Sequence, residues 1–199
     1  GLAYRVRPVD ISKGEQFNPE FLKFSPNNRI PAIIDPDGPG GQPITVFESG
    51  AILLYLGEKT GRFLPAEPLA RAKALETLAW MNNTVHPTFT HVFMPWKFAA
   101  SPEGQADAKA HNTGLYGPML AEIEAMAQAA AGAGRPYLGG ERFGPLDAYA
   151  LTLLRWGGFA GIDPAGYPVL WAHVQKVAQL PAVARAIERE RLQLNVYKP

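Results

Sequence analysis

The sequence predicts two folds in series, a mixed α/β segment over residues 1–64 and an all-helical segment over 73–199, joined by a linker at 65–72. Three observations carry this. Short alternating or β-branched runs bounded by Gly, Pro, Asn and Asp are confined to the first third. Leu64-Pro65-Ala66-Glu67-Pro68 then brings two prolines and little to bury. Beyond it apolar residues recur at helical spacing and strand signals vanish.

Taken in order, Tyr4 to Ile11 alternates apolar and polar, as a half-buried strand does. Gly1-Leu2 before it reads as the end of a helix that begins upstream. Ser12-Lys13-Gly14-Glu15-Gln16 is a polar loop. Asn18 is a capping residue, and Pro19 suits the first position of a short helix. Ser25-Pro26-Asn27-Asn28 is turn chemistry. Ile30 to Asp35 and Ile44 to Phe47 read as an antiparallel hairpin across the turn-rich stretch Pro36 to Pro43. Ser49 caps a helix running to about Lys59, with Ile52, Leu53 and Leu56 as its apolar stripe and Gly61 as its terminator. In the second segment, Leu75, Leu78 and Met81 open one long helix, and Leu115, Met119, Ile123 and Met126 mark another. Asp147 to Trp156 is apolar almost all round, as a central helix would be. Tyr167 to Leu180 and Ala182 to Leu192 complete the set.

Composition narrows the function. The chain of 199 residues is 47% hydrophobic and 19% charged, as globular proteins are. A net charge of +1 gives no field favouring nucleic acid or an anionic membrane. No apolar run is long enough for a span, and no charged-then-apolar leader opens the chain, so a cytoplasmic location is expected. The absence of cysteine excludes disulfides, thiolate metal sites and a cysteine nucleophile within these residues. His86 and His91 stand five apart rather than the four that stacks two ligands on one helical face, so no metal is expected.

The chemistry concentrates at the hairpin. Pro31 cannot donate a ladder hydrogen bond, so it belongs at a strand's start or edge. Were its peptide bond cis, the backbone N–H and C=O of Ile30 would turn outward and pair with an extended peptide. Ser49 stands at a helix N-terminus, where unpaired N–H groups and the dipole attract a carboxylate. Glu48 beside it would accept a bond from an ammonium group. Arg29 adds a cation and Gln16 an amide. Taken singly, Ser49 reads as an ordinary cap and Pro31 as an edge-strand proline. Their order along the chain favours a site.

Ser25-Pro26-Asn27-Asn28-Arg29-Ile30-Pro31-Ala32-Ile33-Ile34-Asp35, with Phe47-Glu48-Ser49-Gly50-Ala51-Ile52-Leu53-Leu54-Tyr55-Leu56, resembles bacterial glutathione transferases. The match is to the Nu class, which Lys13-Gly14-Glu15-Gln16-Phe17-Asn18-Pro19-Glu20-Phe21 also resembles. The resemblance implies a thioredoxin-like N-terminal domain, with its first strand and helix upstream of Gly1, followed by an all-helical C-terminal domain. It implies that Gln16, Arg29, Ile30, Pro31, Glu48 and Ser49 bind glutathione. Pro31 would be cis, the γ-glutamyl end would meet Glu48 and Ser49, and the cysteinyl backbone would meet Ile30.

The helical half is similar to Beta-class enzymes, in Thr84-Val85-His86-Pro87-Thr88-Phe89 and Leu153-Leu154-Arg155-Trp156. In that class, residues matching His86 and Trp156 border the site near the reacting sulfur. The class often has lysine where this chain has Pro87. From the residues alone, His86 reads equally as a hydrogen-bonded helix histidine, and Trp156 as core packing. Phe89, Phe93, Met94 and Trp96 read either as pocket or as core. Gly139-Gly140-Glu141-Arg142-Phe143-Gly144-Pro145-Leu146-Asp147 resembles the family's helix-capping segment, with Gly144 where serine or threonine is usual. Asp147 is therefore read as a structural cap.

The family's thiol-activating residue is expected upstream of Gly1. A free thiol, with a pKa near about 8.5, is only slightly ionised at neutral pH and needs such a donor. Glutathione is the expected co-substrate, with conjugation to an electrophile or reduction of a disulfide or peroxide as the reaction. A homodimer is implied. A glutathione-binding or scaffold protein without turnover is the alternative.

Overall fold

The computed structural model describes residues 2–199, as two compact units, Gly1–Thr60 and Gly61–Pro199. Gly1, on which the expected helix end turns, lies outside the described residues.

In the first unit the Tyr4–Ile11 strand does not form; the segment is irregular up to a 3₁₀ turn at Ile11–Lys13 capped by Asp10. Alternation prepares a strand's two faces, but a strand exists only where a neighbour supplies the ladder. Among the described residues the sole ladder joins β1 (Ala32–Asp35) to β2 (Ile44–Phe47). The pair is antiparallel, with Ala32 opposite Phe47 and Asp35 opposite Ile44. β1 starts two residues later than Ile30, because Pro31 has no N–H to offer. Helix α1 (Pro19–Leu22) begins as expected, with Asn18 Oδ1 accepting from the Glu20 N–H at 2.9 Å, and it buries Phe21. Helix α2 (Ser49–Thr60) follows β2 directly and ends before Gly61, whose φ of +61° suits a helix terminator. Lys59 and Tyr55 on α2 reach Asp35 on β1, at 2.7 and 2.6 Å, and Lys59 also donates to the Asp37 carbonyl. The Lys59 ammonium first, then the Tyr55 hydroxyl, hold the Asp35 carboxyl down to about 2.

The second unit is helical. Helix α3 (Pro68–Trp80) starts inside the stretch read as linker, so residues 68–72 are helix. The reason is local: both carboxylate oxygens of Glu67 accept from N–H groups of the first turn, those of Leu69 and Ala70. Five residues of π-helix, Met81–Val85, join α3 to α4 (His86–Phe93). Pro87 explains the interruption, since it has no N–H and its ring would meet the carbonyl four residues back. Helix α5 (Pro102–Gly132) buries Tyr116, Leu120, Ile123, Glu124, Ala127 and Ala130. This corrects the stripe read from Leu115, Met119, Ile123 and Met126: only Ile123 is buried, and Leu115 is 42% exposed. Two polar partners turn the face. The Tyr116 hydroxyl donates to the Leu153 carbonyl at 2.8 Å, and the Glu124 carboxylate accepts from the N–H groups of Val169 and Leu170.

Helix α6 (Pro145–Gly157) is the central element and buries nine of its residues. Helices α7 (Pro168–Ala178) and α8 (Pro181–Arg189) follow. Leu153, Leu154, Leu170, Val174 and Val177, and likewise Met81, Val85, Tyr116, Leu120 and Ile123, are fully buried and form the core of this unit. Each such side chain contributes roughly 1.5–3 kcal/mol relative to exposure.

Gly144, at the N-cap of α6, has its own reason. A Cβ there would sit 2.7 Å from the Phe63 carbonyl oxygen, so the usual serine or threonine has no room. Gly144→Ala is expected to destabilise the protein by about 1–3 kcal/mol through that overlap, read as a lower denaturant midpoint with unchanged slope.

Candidate functional site

The hairpin register assembles the first group of candidate residues. Ala32 faces Phe47 in the last pair of the ladder, so Ile30-Pro31 enters and Glu48-Ser49 leaves at the same end of the hairpin. The Ile30–Pro31 bond is cis. Ile30 is 47% exposed, and its N–H and C=O make no hydrogen bond among the described residues. The turn before it is held by the Ser25 hydroxyl, which donates to the Arg29 carbonyl at 2.8 Å, and by the Asn28 N–H on the Ser25 carbonyl. This leaves the Arg29 side chain exposed on the same loop.

At the helix mouth, the structure shifts the cap by one residue. Ser49 is the first residue of α2 rather than its N-cap. Glu48 holds the cap position, and its carbonyl accepts from the Ile52 N–H at 2.9 Å. The N–H groups of Ser49, Gly50 and Ala51 therefore precede the first helical acceptor. Glu48 is exposed and its φ is +65°, in the left-handed region, which costs a non-glycine residue about 1–2 kcal/mol. Gln16 lies on a separate 3₁₀ turn, Glu15–Phe17, and no hydrogen bond joins it to the other five. Its Oε1 is buried without a hydrogen-bond partner, alone in this among side-chain atoms of the described residues. An orphaned acceptor of this kind is rare in folded proteins and asks for an explanation.

In the second unit, His86 and Trp156 meet at a ring-centroid distance of 4.7 Å, tilted by 65°. Trp156 stacks on Phe89 at 4.9 Å and 13°. His86 Nδ1 lies 2.9 Å from the Tyr149 hydroxyl, which donates to Asn82 Oδ1 at 2.9 Å. Burial pushes the His86 ring below its ordinary pKa, and pushes the Tyr149 phenol up to about 12. The sequence reading missed Asn82 and Tyr149. One signal was available for Asn82: it stands four residues before His86, on the same helical face.

Asp147 makes three bonds. Its Oδ2 accepts from the Gly144 N–H at 2.8 Å, and its Oδ1 accepts from the Leu138 N–H at 2.9 Å and lies 2.8 Å from His173 Nε2. It touches no candidate ligand-binding residue. A cavity of about 330 Å³ lies elsewhere, lined by Phe63, Leu64, Pro65, Leu78, Arg142 and Leu146 among others, and it includes none of the candidate residues. Among the described residues no acidic, histidine or cysteine cluster could hold a metal ion, and no helix is long and apolar enough to cross a membrane.

Residues 1–59 match the family model described as glutathione S-transferase, N-terminal domain. Over 194 residues the chain is 36% identical to a disulfide-bond oxidoreductase of Escherichia coli strain K12, YfcG, covering 96% of this chain and 86% of that protein. Among solved structures it is similar to a glutathione transferase family member from Pseudomonas fluorescens with two glutathione bound. That similarity has a TM-score of 0.77 and 32% identity, over 94% of this chain and 82% of the other. It is also similar to a glutathione transferase from Pseudomonas putida with one glutathione disulfide bound per subunit. There the TM-score is 0.78 and the identity 28%, over 94% and 81% of the two chains. The hairpin and helices are thus those of a thioredoxin-like domain followed by a helical domain, and the chain belongs to the glutathione S-transferase family.

Proposed function

We propose that this protein binds glutathione through the first unit and uses it to reduce disulfides of small molecules. The observation that carries the reading is the arrangement at one end of the hairpin. Exposed Ile30 has both main-chain groups unused, and Glu48 is held in a costly conformation at the mouth of α2. This is the chemistry a γ-glutamyl tripeptide requires. The N-terminus of α2 and the Ser49 hydroxyl receive the α-carboxylate, Glu48 accepts from the α-ammonium, and the cysteinyl backbone pairs with Ile30. Arg29 and Gln16 complete the grip on the remaining polar groups, and Pro31 keeps the strand's entry without a competing donor. The relative YfcG, named a disulfide-bond oxidoreductase, and the neighbour holding glutathione disulfide support reduction over conjugation.

In the reaction, a glutathione thiolate attacks one sulfur of the disulfide. An S–S bond forms to glutathione as the old one breaks, and the departing thiolate takes a proton. A second glutathione thiolate then attacks the glutathione sulfur of the mixed disulfide, which forms glutathione disulfide as the mixed S–S bond breaks and the remaining substrate thiolate leaves and takes a proton. His86 and Trp156 in the helical unit are the residues for the second substrate.

A substrate panel tests this. With glutathione, a small disulfide such as 2-hydroxyethyl disulfide is expected to turn over faster than an aryl halide. Faster aryl-halide conjugation would reverse the assignment, and saturable glutathione binding with neither activity would favour the scaffold alternative. The protein is further proposed to be a two-fold homodimer, the commonest symmetric assembly. Light scattering at micromolar concentration should then give about twice the chain mass of 21.6 kDa; the single-chain mass would refute it.

A further inference from the structure

The hydrogen-bond chain behind His86 has a direction. Asn82 Nδ2 donates to Asn83 Oδ1 at 2.7 Å, which leaves Asn82 Oδ1 facing Tyr149 as an acceptor. The Tyr149 phenol has one proton and gives it to that oxygen. Toward His86 the phenol oxygen can then only accept, so the proton between them belongs to His86 Nδ1. A neutral imidazole carries one ring proton, which leaves Nε2 with its lone pair.

The surroundings favour that neutral form. No carboxylate or ammonium bonds the ring among the described residues. Titratable neighbours are otherwise engaged. Tyr116 on α5 donates to the Leu153 carbonyl, and its ring meets Phe89. The Arg155 guanidinium, next to Trp156 on α6, lies over Phe159 and bonds the Gln193 carbonyl. His91, on the same helix as His86, bonds the Pro87 carbonyl. Burial holds the His86 ring below its ordinary pKa and keeps the Tyr149 phenol protonated. Nε2 has no partner among the described residues and is not sealed from solvent. The His86 ring packs against Trp156, itself backed by Phe89.

We propose that Tyr149 and Asn82 are positioning residues that hold His86, whose ring packs against Trp156, as its Nδ1–H tautomer, so that Nε2 is a ready hydrogen-bond acceptor for a protic second substrate. What the acceptor serves rests on the glutathione-dependent reading above; the tautomer itself does not.

Long-range ¹⁵N NMR of the whole protein without glutathione reads the tautomer, with His86→Gln assigning the resonances. The wild type should show Nδ1 protonated and Nε2 bare. Tyr149→Phe and Asn82→Ala should both lose this pattern, while Asn82→Asp, which retains the oxygen that Tyr149 needs, should keep it. Asn82 is only half-buried, so its variants hold the test if Tyr149→Phe fails to fold. In glutathione-dependent turnover, Asn82→Ala should lower kcat about ten-fold or more with KM for glutathione unchanged, and Asn82→Asp should restore it. A wild-type ring protonated on Nε2, or an Nδ1–H pattern that survives both Tyr149→Phe and Asn82→Ala, would overturn the proposal. An intact NMR pattern in a protein with no glutathione-dependent turnover would remove the proposed function and support the tautomer assignment.

Discussion

Asp147→Ala is expected to lower the unfolding free energy by about 3–5 kcal/mol, the cost of stripping the partners from a buried charged network. The carboxylate is fully buried, with 0% exposure, and satisfies the N–H groups of Leu138 and Gly144 as well as His173. Removing it leaves two backbone donors unpaired beside the first turn of α6, the most buried helix of its unit. A cap alone would account for about 1 kcal/mol; the excess comes from the Leu138 loop and His173, which the same carboxylate ties down. For a chain of this size the thermal midpoint should fall by roughly 2–4 °C per kcal/mol. Asp147→Asn, which keeps an acceptor oxygen of the same reach, should recover part of the loss. Because the network touches no candidate ligand residue, glutathione affinity measured below the transition should be unchanged. An Asp147→Ala protein with wild-type unfolding would refute the structural role.

Elements defined by their own residues were legible in the sequence. Asn18-Pro19 starts a helix, the Pro36–Pro43 turn stretch closes a hairpin, and the run from Asp147 to Trp156 is apolar because α6 is surrounded. Elements defined by a partner were not. Tyr4–Ile11 alternates like a strand but has no ladder. The buried face of α5 contains Tyr116 and Glu124, which belong inside only because Leu153, Val169 and Leu170 offer bonds to them. A charged residue ordinarily marks the solvent face, so the apolar stripe was read about one residue away. The linker reading failed at Glu67, whose carboxylate starts α3 earlier than its prolines suggested.

The candidate site shows the same division. Pro31, Glu48 and Ser49 could be picked out because proline, acid and serine each have positional meaning at strand and helix ends. The exact placement of the cap could not, since nothing in Phe47-Glu48-Ser49 announces that the glutamate will take a positive φ. Nor could the partners of His86. Tyr149 lies 63 residues away in sequence, and only the packing of α4 against α6 joins them.

The second large effect concerns the grip on the tripeptide. Glu48→Ala removes the acceptor for the α-ammonium, and Ser49→Ala removes a hydroxyl donor from the carboxylate. Each loses a charge-assisted bond of roughly 1.5–3 kcal/mol, which is about ten-fold or more in affinity. Glu48→Ala also removes the side chain that ties the left-handed residue to its ligand. Its loss should therefore fall on binding, with little change in unfolding.

Calorimetric titration of glutathione into the wild type and these two variants tests the central claim most directly. Saturable binding by the wild type, weakened about ten-fold or more in both Glu48→Ala and Ser49→Ala, is the predicted result. Wild-type affinity in both variants, or no saturable binding in any of the three, would contradict it.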